Sequence, residues 1–485
     1  MDKFLAWLET AINDVNAILA DYILVILLVG VGLFFTIRTK FVQVRCFKQG
    51  MKNVFGGLKL KGEKHESGMS SFQAVATAIA AQVGTGNIVG ACGAILVGGP
   101  GAIFWMWIIA FLGMATIYAE AVLAQKTRKI NEDGSVSGGP VYYIRTAFKG
   151  KFGKFLAGFF AVAAVICLGF VGAMVQSNSI SSAVASAGGF DYKEWGWIAG
   201  IIIAVLSLLI FIGGAKRIAS VTEKIVPIMA VVYLIGGLII LCVNITALPI
   251  AFWYILKYAF NPSAIIGGGF GYALKTAISM GAKRGLFSNE AGMGSTPHAH
   301  AQANVKTPHE QGTAAMISVF IDTFIVLTMT ALIVITSLYV KNPELLTSAT
   351  SNNMVELSIA SLFTNASVGD KIGAIFVAVC LTFFAFSTII SWNLFGRINF
   401  EYLFGKKSSL LYSLIATIFV FLGSLLSNGL VWSANDFFNY MMVFPNAIAL
   451  IALASMVVKE LKTNGKKSAV DTPNQPLTEN LVDKK

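Results

Sequence analysis

Ala81-Gln82-Val83-Gly84-Thr85-Gly86-Asn87-Ile88 lies in the middle of an otherwise apolar segment. Glycines, a threonine and an asparagine stand where a membrane helix would carry uninterrupted aliphatic residues. Each glycine weakens a helix interior by about 1 kcal/mol, and hydrocarbon cannot satisfy an Asn side chain. A spanning helix that gives up its own hydrogen bonds at mid-depth lends backbone groups to a ligand, as the interrupted helices of secondary transporters do. The rival reading is a helix crossing in which small residues permit close approach. Thr85 and Asn87 favour the first.

The rest of the chain supplies the membrane. Of its 485 residues 56% are hydrophobic and 12% charged, and the mean hydropathy is +0.73. Such a composition belongs to a polytopic, all-α integral membrane protein. A net charge of +12 would suggest nucleic acid in a soluble chain. Here the Lys and Arg residues gather in short loops between apolar runs, so the expected partner is the lipid bilayer and not nucleic acid. The five cysteines are scattered, with no metal or disulfide spacing. Met1–Asp21 has acidic residues and no basic n-region, so no cleavable signal is expected.

At roughly 20 residues per crossing, about eleven spans are expected, near 20–37, 70–97, 102–124, 155–187, 196–214, 224–244, 264–287, 313–340, 371–396, 409–429 and 437–458. Basic clusters follow spans one, three, five, nine and eleven: Arg38 to Lys64, Lys126 to Lys151, Lys216 and Arg217, Arg397 to Lys407, and Lys459 to Lys467. They recur on one side only. The positive-inside rule makes that side the cytoplasm, with the N-terminus outside, the C-terminus inside and the cell membrane as the location.

The organisation expected is therefore an outer N-terminus, extra helix and basic loop over 1–69, five helices over 70–244, an aromatic-rich interfacial helix over 245–263, five more helices over 264–458, and a polar, disordered cytosolic tail over 459–485. Each five-helix set would begin with a broken helix. Gly84–Asn87 marks the first break; Ser279-Met280-Gly281 is taken for the second, with Gly267-Gly268-Gly269 as a competitor. Paired interruptions are the best sequence pointer to a midplane site.

At the first break the C-terminal half-helix offers free N–H groups and a positive dipole end, suited to a carboxylate. Thr85, Gly86 and Asn87 are the expected donors. The N-terminal half offers free carbonyls, with Ala80 and Val83 expected to face a hard cation such as Na⁺. Three charges at membrane depth need partners: Asp322, Glu120 and Lys275. For Asp322, a proton carrier or inner-gate role stands beside the expectation of an ion pair with Lys283 or Arg284. His298 and His300, spaced i,i+2, do not face one way on a helix and are not expected to hold a metal.

The string Gly98-Gly99-Pro100-Gly101-Ala102-Ile103-Phe104-Trp105-Met106-Trp107-Ile108-Ile109-Ala110-Phe111-Leu112-Gly113 is a tight turn followed by an aromatic belt. It resembles the signature of the alanine or glycine:cation symporters. Val83–Ile88, Gly138–Ile144, Val175–Ile180, Phe287–Ser295, Phe386–Trp392 and Glu401–Gly405 match that family's pattern in order. The resemblance implies a leucine-transporter-like, five-plus-five inverted-repeat bundle with one extra N-terminal helix. It also implies sodium- or proton-coupled uptake of a small neutral amino acid: alanine or glycine, with glutamine or serine as alternatives.

Carried over residue by residue, it implies carboxylate binding by Thr85 and Gly86 with Asn87 beside them, and a substrate hydrogen bond from Gln176. Ser387 and Thr388 would complete a sodium site with the Ala80 and Val83 carbonyls. Trp392 would wall the side-chain pocket, and Ser279, Met280 and Gly281 would close it. Glu290 through Pro297 and His298 fits a cytoplasmic connection. No cofactor is implied beyond Na⁺ as coupling ion, and a monomer suffices. Two other classes fit less well. A channel would need a filter motif or a ring of charges, and an enzyme would need a nucleophile or metal constellation, for which His, Cys and paired carboxylates are too sparse.

Overall fold

The computed structural model describes residues 2–56, 68–132, 134–261, 270–426 and 428–464. Lys59, Lys61 and Lys64 of the basic loop, the Gly267-Gly268-Gly269 alternative and 465–485 of the expected tail lie outside the described residues.

The described chain is almost entirely helical. In chain order the main elements are α1 (Glu9–Arg38), α2 (Ser71–Gln82), α3 (Gly86–Gly98), α4 (Gly101–Thr127), α5 (Gly150–Gly188), α6 (Tyr192–Phe211), α7 (Gly214–Val243) and α8 (Ile245–Phe260). They continue with α9 (Phe270–Asn289) and α10 (Pro297–Gln302). The last are α11 (Pro308–Lys341), α12 (Ala366–Phe404), α13 (Lys406–Gly423), α14 (Gly429–Ala452) and α15 (Ala454–Asn464).

Among the described residues eight helices are long and apolar enough to cross a membrane, or ten if each of two bent pairs, α2 with α3 and α14 with α15, is one span. The expected span that is missing from this set, near 264–287, corresponds to α9. It has 20 residues but carries Lys275, Lys283 and Arg284, which take it out of the apolar class.

Burial shows what lies at the centre. Residues 74–82 of α2, 172–181 of α5 and 387–396 of α12 are buried on every side of their helices, the pattern of helices surrounded by other helices. By contrast α6 and α7 bury one third of their apolar windows and turn the rest outward.

The start of α2 is set by a capping box: Gln73 N–H donates to Ser70 Oγ (3.1 Å) while Ser70 N–H donates to Gln73 Oε1 (3.1 Å). Just before it, Met69–Ser70 pairs in parallel with Ala303–Asn304, immediately after α10. That short ladder joins the beginning of one interrupted helix to the end of another.

Candidate functional site

The first break is where the sequence places it. α2 and α3 meet at 47°, and the last regular bond of α2 runs from Val83 N–H to Ile79 O (2.7 Å). An unbroken helix would next send Gly84 N–H to the Ala80 carbonyl and Thr85 N–H to the Ala81 carbonyl. Instead Gly84 N–H donates to Asn87 Oδ1 (2.9 Å) and Thr85 N–H to Gln176 Oε1 of α5 (3.2 Å).

The two carbonyls so released face α12. Thr388 Oγ1 donates to Ala80 O (2.9 Å) and Ala81 O (3.3 Å), and Ser387 Oγ lies 3.4 Å from Ala80 O. Both hydroxyls also bond back to Phe384 O, at 2.8 and 3.1 Å. The second carbonyl at Thr388 is thus that of Ala81 and not of Val83. The signal was in the helix arithmetic: once the 84 and 85 N–H groups turn away, 80 and 81 are the orphaned acceptors.

Glycine at 84 is a steric requirement. A Cβ there would stand 2.5 Å from Thr388 Oγ1 and 3.2 Å from Gln176 Oε1. Two polar atoms at the break, Thr85 Oγ1 and Gln176 Nε2, are buried without a hydrogen-bond partner among the described residues. Native structures rarely leave such atoms unpaired.

The second break differs from the expectation. α9 runs without interruption through Ser279, Met280 and Gly281. A Cβ on Gly281 would lie 2.6 Å from Trp105 Cβ and 2.9 Å from Ala102 O, and one on Gly98 would lie 3.2 Å from Met280 Cβ. These residues form the seam of α9 with α3 and α4, where small side chains let backbones approach.

The actual interruption is Glu290–Thr296, between α9 and α10. Its backbone turns at Glu290 (φ 57°), Gly292 (φ 89°) and Gly294 (φ 83°), conformations for which glycine is suited. The stretch is enclosed by the bundle, with Glu290, Ser295, Thr296 and His298 fully buried.

Carboxylates hold this second break in shape. Glu290 accepts from Trp392 Nε1 (2.5 Å) and from Ser295 Oγ. Glu120 of α4 accepts from Gly292 N–H (3.2 Å) and from Asn446 Nδ2 (2.6 Å), and the same Asn446 amide donates to Gly292 O (2.9 Å). His298 Nδ1 bonds to Ser295 O (2.6 Å) and its Nε2 to the Asn399 amide (2.8 Å), a pairing that calls for the Nδ1–H tautomer. Among the described residues no three His, Cys, Asp or Glu side chains converge on one point.

The breaks face each other. Gln82 Nε2 donates to Asn289 O (2.7 Å), and a Cβ on Gly86 would lie 2.9 Å from the Phe287 ring and 3.1 Å from Ser288 Cα. Trp392 stands between them, edge-on to Phe287 with ring centres 5.9 Å apart and against Gly172. Thr85, Gly86, Asn87, Gln176, Ser387, Thr388 and Trp392 are all buried, so the cluster is closed to solvent on both sides.

Asp322 does not pair with Lys283 or Arg284. Arg284 is 3.3 Å from the Asp436 carboxylate and stacks over the Trp432 ring, 4.6 Å from its centre. Asp322 instead accepts from Asn87 Nδ2 (2.6 Å), Ser288 Oγ (2.8 Å) and Thr323 Oγ1 (2.8 Å). Lys275 lies over the Tyr22 ring, 4.5 Å from its centre.

Two clefts have mixed polar and apolar linings that share no residue with the cluster. One of about 120 Å³ is lined by Val89, Ser179, Ser186, Asn353 and Glu356. The other, of about 410 Å³, is lined by Met69, Ser135, Lys216, Arg397 and Glu401. At the first, burial and the nearby Asp370 carboxylate raise the Glu356 carboxyl above the ordinary carboxylate range, opposed by a hydrogen bond from Ser186 Oγ (3.2 Å).

Known proteins resemble this chain over nearly its whole length. The profile of the sodium:alanine symporter family matches residues 5–476. The chain belongs to that family. It is similar to the sodium/alanine symporter AgcS of Methanococcus maripaludis, 41% identical over 93% of this chain and 96% of that one. The putative sodium/proton-dependent alanine carrier protein YrbD of Bacillus subtilis is 38% identical, over 93% of this chain and 91% of its own length. The probable sodium/glutamine symporter GlnT of the same organism is 37% identical, over 96% and 92%. Membership of the sodium:alanine symporter family makes the protein a multi-pass membrane transporter, a class of symporters and not of enzymes.

Proposed function

We propose that the protein carries a small neutral amino acid, alanine or glycine, into the cell together with Na⁺ by alternating access. The observation that carries this reading is the divided first break. On one side Thr85 Oγ1, Gln176 Nε2 and the start of α3 offer donors to a substrate carboxylate. On the other, the Ala80 and Ala81 carbonyls with Ser387 and Thr388 offer oxygens to a sodium ion. Thr85, Gly86, Asn87 and Gln176 bind the backbone of the amino acid, and Trp392, fixed by Glu290, limits its side chain. Ala81 takes the place of Val83 in the sodium shell. Ser279, Met280 and Gly281 are left to helix packing.

In this reading residues 70–244 and 264–458 are the two inverted repeats, supported by their facing breaks and by the Met69–Ala303 pairing of the two interrupted helices. The N-terminus is outside and the C-terminus cytoplasmic, as the basic loops suggest, and one copy of the chain suffices. The sealed cluster, which shares no residue with either cleft, fits an occluded stage of the cycle. Glutamine is a second reading, favoured by the similarity to GlnT.

Uptake of radiolabelled alanine, glycine, serine and glutamine into proteoliposomes, with Na⁺ replaced by choline in parallel, tests the proposal. Saturable, Na⁺-dependent uptake of alanine or glycine is expected. Uptake indifferent to Na⁺, or flux that does not saturate, refutes it.

A further inference from the structure

The cleft of about 120 Å³ beside Glu356 has a polar lining with no task in the site at the break. Besides the residues named above, it includes Ser182, Asn352 and Leu381. Several of its oxygens are acceptors without a donor. Ser179 is 4% exposed, and its Oγ has no hydrogen-bond partner among the described residues; nor has the buried Asn352 Oδ1. Glu356 accepts one hydrogen bond, from Ser186 Oγ to Oε2 (3.2 Å). Among the described residues no lysine, arginine or histidine pairs with it. The charge its carboxyl feels is that of another carboxylate, Asp370 at the start of α12. Native structures rarely leave buried acceptors idle, and a cleft lined by negative charge draws in cations.

We propose that this cleft is a waiting site for the substrate, where Glu356, Asn352 and Ser179 receive the α-ammonium group of an amino acid before it reaches the break. This rests on the amino-acid reading above. An ammonium group carries a positive charge and three N–H donors. The cleft offers it a carboxylate, an amide oxygen and a hydroxyl oxygen. Its volume suits one small zwitterion, or the few waters that the zwitterion displaces.

Position supports the same role independently. On α5, Gln176, Ser179, Ser182 and Ser186 follow one another at spacings of three, three and four, which places them in one polar stripe along the helix. Gln176 belongs to the break, and its Nε2 lacks a partner. Ser179, one turn on, borders the cleft, and Ser186 holds Glu356. The other walls start close to the break as well. Val89 shares the π-helical turn Gly86–Gly90 with Asn87, and Leu381 stands seven residues before Thr388, about 10 Å along α12. In the proposed topology the segment between α11 and α12, which carries Asn352 and Glu356, lies outside. The cleft is then on the entry side.

The two sites divide the amino acid between them. The break presents donors to a carboxylate, and the cleft presents acceptors to an ammonium. A molecule that has the ammonium and lacks the carboxylate therefore fits the cleft and finds no match at the break. Such a molecule occupies the entry without being carried through.

Alaninamide, which keeps the methyl and ammonium groups of alanine and has no carboxylate, is the probe. Initial rates of radiolabelled alanine uptake into proteoliposomes are measured against increasing alaninamide near neutral pH, where its amine is mostly protonated. Binding of radiolabelled alaninamide to the purified protein is measured by equilibrium dialysis. Wild type should bind the probe and be inhibited by it. Glu356→Gln should raise the inhibition and dissociation constants about tenfold or more, the size of a charge-assisted hydrogen bond. It should also slow alanine uptake more at limiting than at saturating alanine. Ser179→Ala and Asn352→Ala keep the charge and should raise both constants several-fold, a result that stands even where Glu356→Gln does not fold. Absence of alaninamide binding to wild type overturns the proposal, as does equal inhibition of wild type and Glu356→Gln. So does inhibition that Gln176→Ala relieves and Glu356→Gln leaves intact, which would put the probe at the break. Should wild type take up no amino acid, the proposed function fails separately; dialysis still reads the difference between wild type and Glu356→Gln.

Discussion

Alanine at position 84 adds one carbon to the first break, and the structure says where it goes. The new Cβ stands 2.5 Å from Thr388 Oγ1, 3.3 Å from Thr388 Cβ and 3.2 Å from Gln176 Oε1. The Gln176 contact can relax by a few tenths of an ångström, but the Thr388 contact cannot stand as it is. Thr388 Oγ1 is not a loose end, because it is held by the carbonyls of Ala80, Ala81 and Phe384 at 2.9, 3.3 and 3.1 Å. Either the hydroxyl leaves that position or α2 moves away from α12. Overpacking of this kind costs about 1–3 kcal/mol, which is about a 5- to 150-fold loss in any equilibrium that needs the native geometry. On the proposed assignment that equilibrium is sodium binding. Gly84→Ala should therefore raise the Na⁺ concentration for half-maximal uptake by that factor and leave the substrate constant at saturating Na⁺ nearly unchanged. The assay is initial-rate uptake in proteoliposomes over a Na⁺ titration, with melting curves to show that the variant is folded. Thr388→Ala removes the atom that clashes, so adding Gly84→Ala to it should cost little more. A half-saturating Na⁺ within twofold of wild type, or full additivity in the double variant, refutes the reasoning.

Other expectations follow from neighbouring contacts. Gln176→Ala leaves Thr85 N–H without its acceptor, at a cost of about 1–3 kcal/mol; the half-saturating amino-acid concentration should rise about fivefold or more, as a substrate titration at saturating Na⁺ would show. Arg284→Gln strands Asp436 and removes the cation over Trp432, so its melting temperature should fall further than that of Arg284→Lys; equal falls would argue against a stabilising role of the charge. For Glu356, whose carboxyl is raised chiefly by burial, folded and unfolded states are both protonated below about pH 4.3. Above that the folded state resists ionisation, so stability declines as pH rises toward the raised value. Glu356→Gln should flatten that decline in melting curves from pH 4 to 7, and curves parallel to wild type would contradict it.

The first break could be read from the sequence because its residues are wrong for every alternative: Gly84, Thr85, Gly86 and Asn87 neither propagate a helix nor suit hydrocarbon. The second was misplaced for a physical reason. Ser279, Met280 and Gly281 have the small and flexible composition of a break, yet a small residue inside a helix serves equally well where another helix presses close, as Trp105 and Ala102 do at Gly281. The true interruption announces itself through Gly292 and Gly294, two residues apart beside Glu290, a spacing suited to successive left-handed turns. Charge pairing was harder to read. Arg284 and Asp322 are close enough in sequence to suggest partners, but the ring of Trp432 and the carboxylate of Asp436 come from a helix more than a hundred residues away, and only the fold brings them to Arg284. The Ala80 carbonyl was predictable from helix geometry alone; Ala81 was equally so.

The parallel pairing of Met69–Ser70 with Ala303–Asn304 has a mechanical meaning. It welds the near ends of α2 and α10, and Gln125 and Arg128 of the α4 end clasp the same strand through the Ala303 carbonyl (3.0 Å for Gln125). With those ends fixed to one another, torque applied on this face cannot slide the two interrupted helices past each other. It must be taken up at the breaks, where the backbone is already bent. On the proposed alternating-access reading the weld acts as the fulcrum of a paired lever: a spectroscopic ruler across 69 and 303 should stay constant through the cycle, while rulers across the breaks lengthen and shorten.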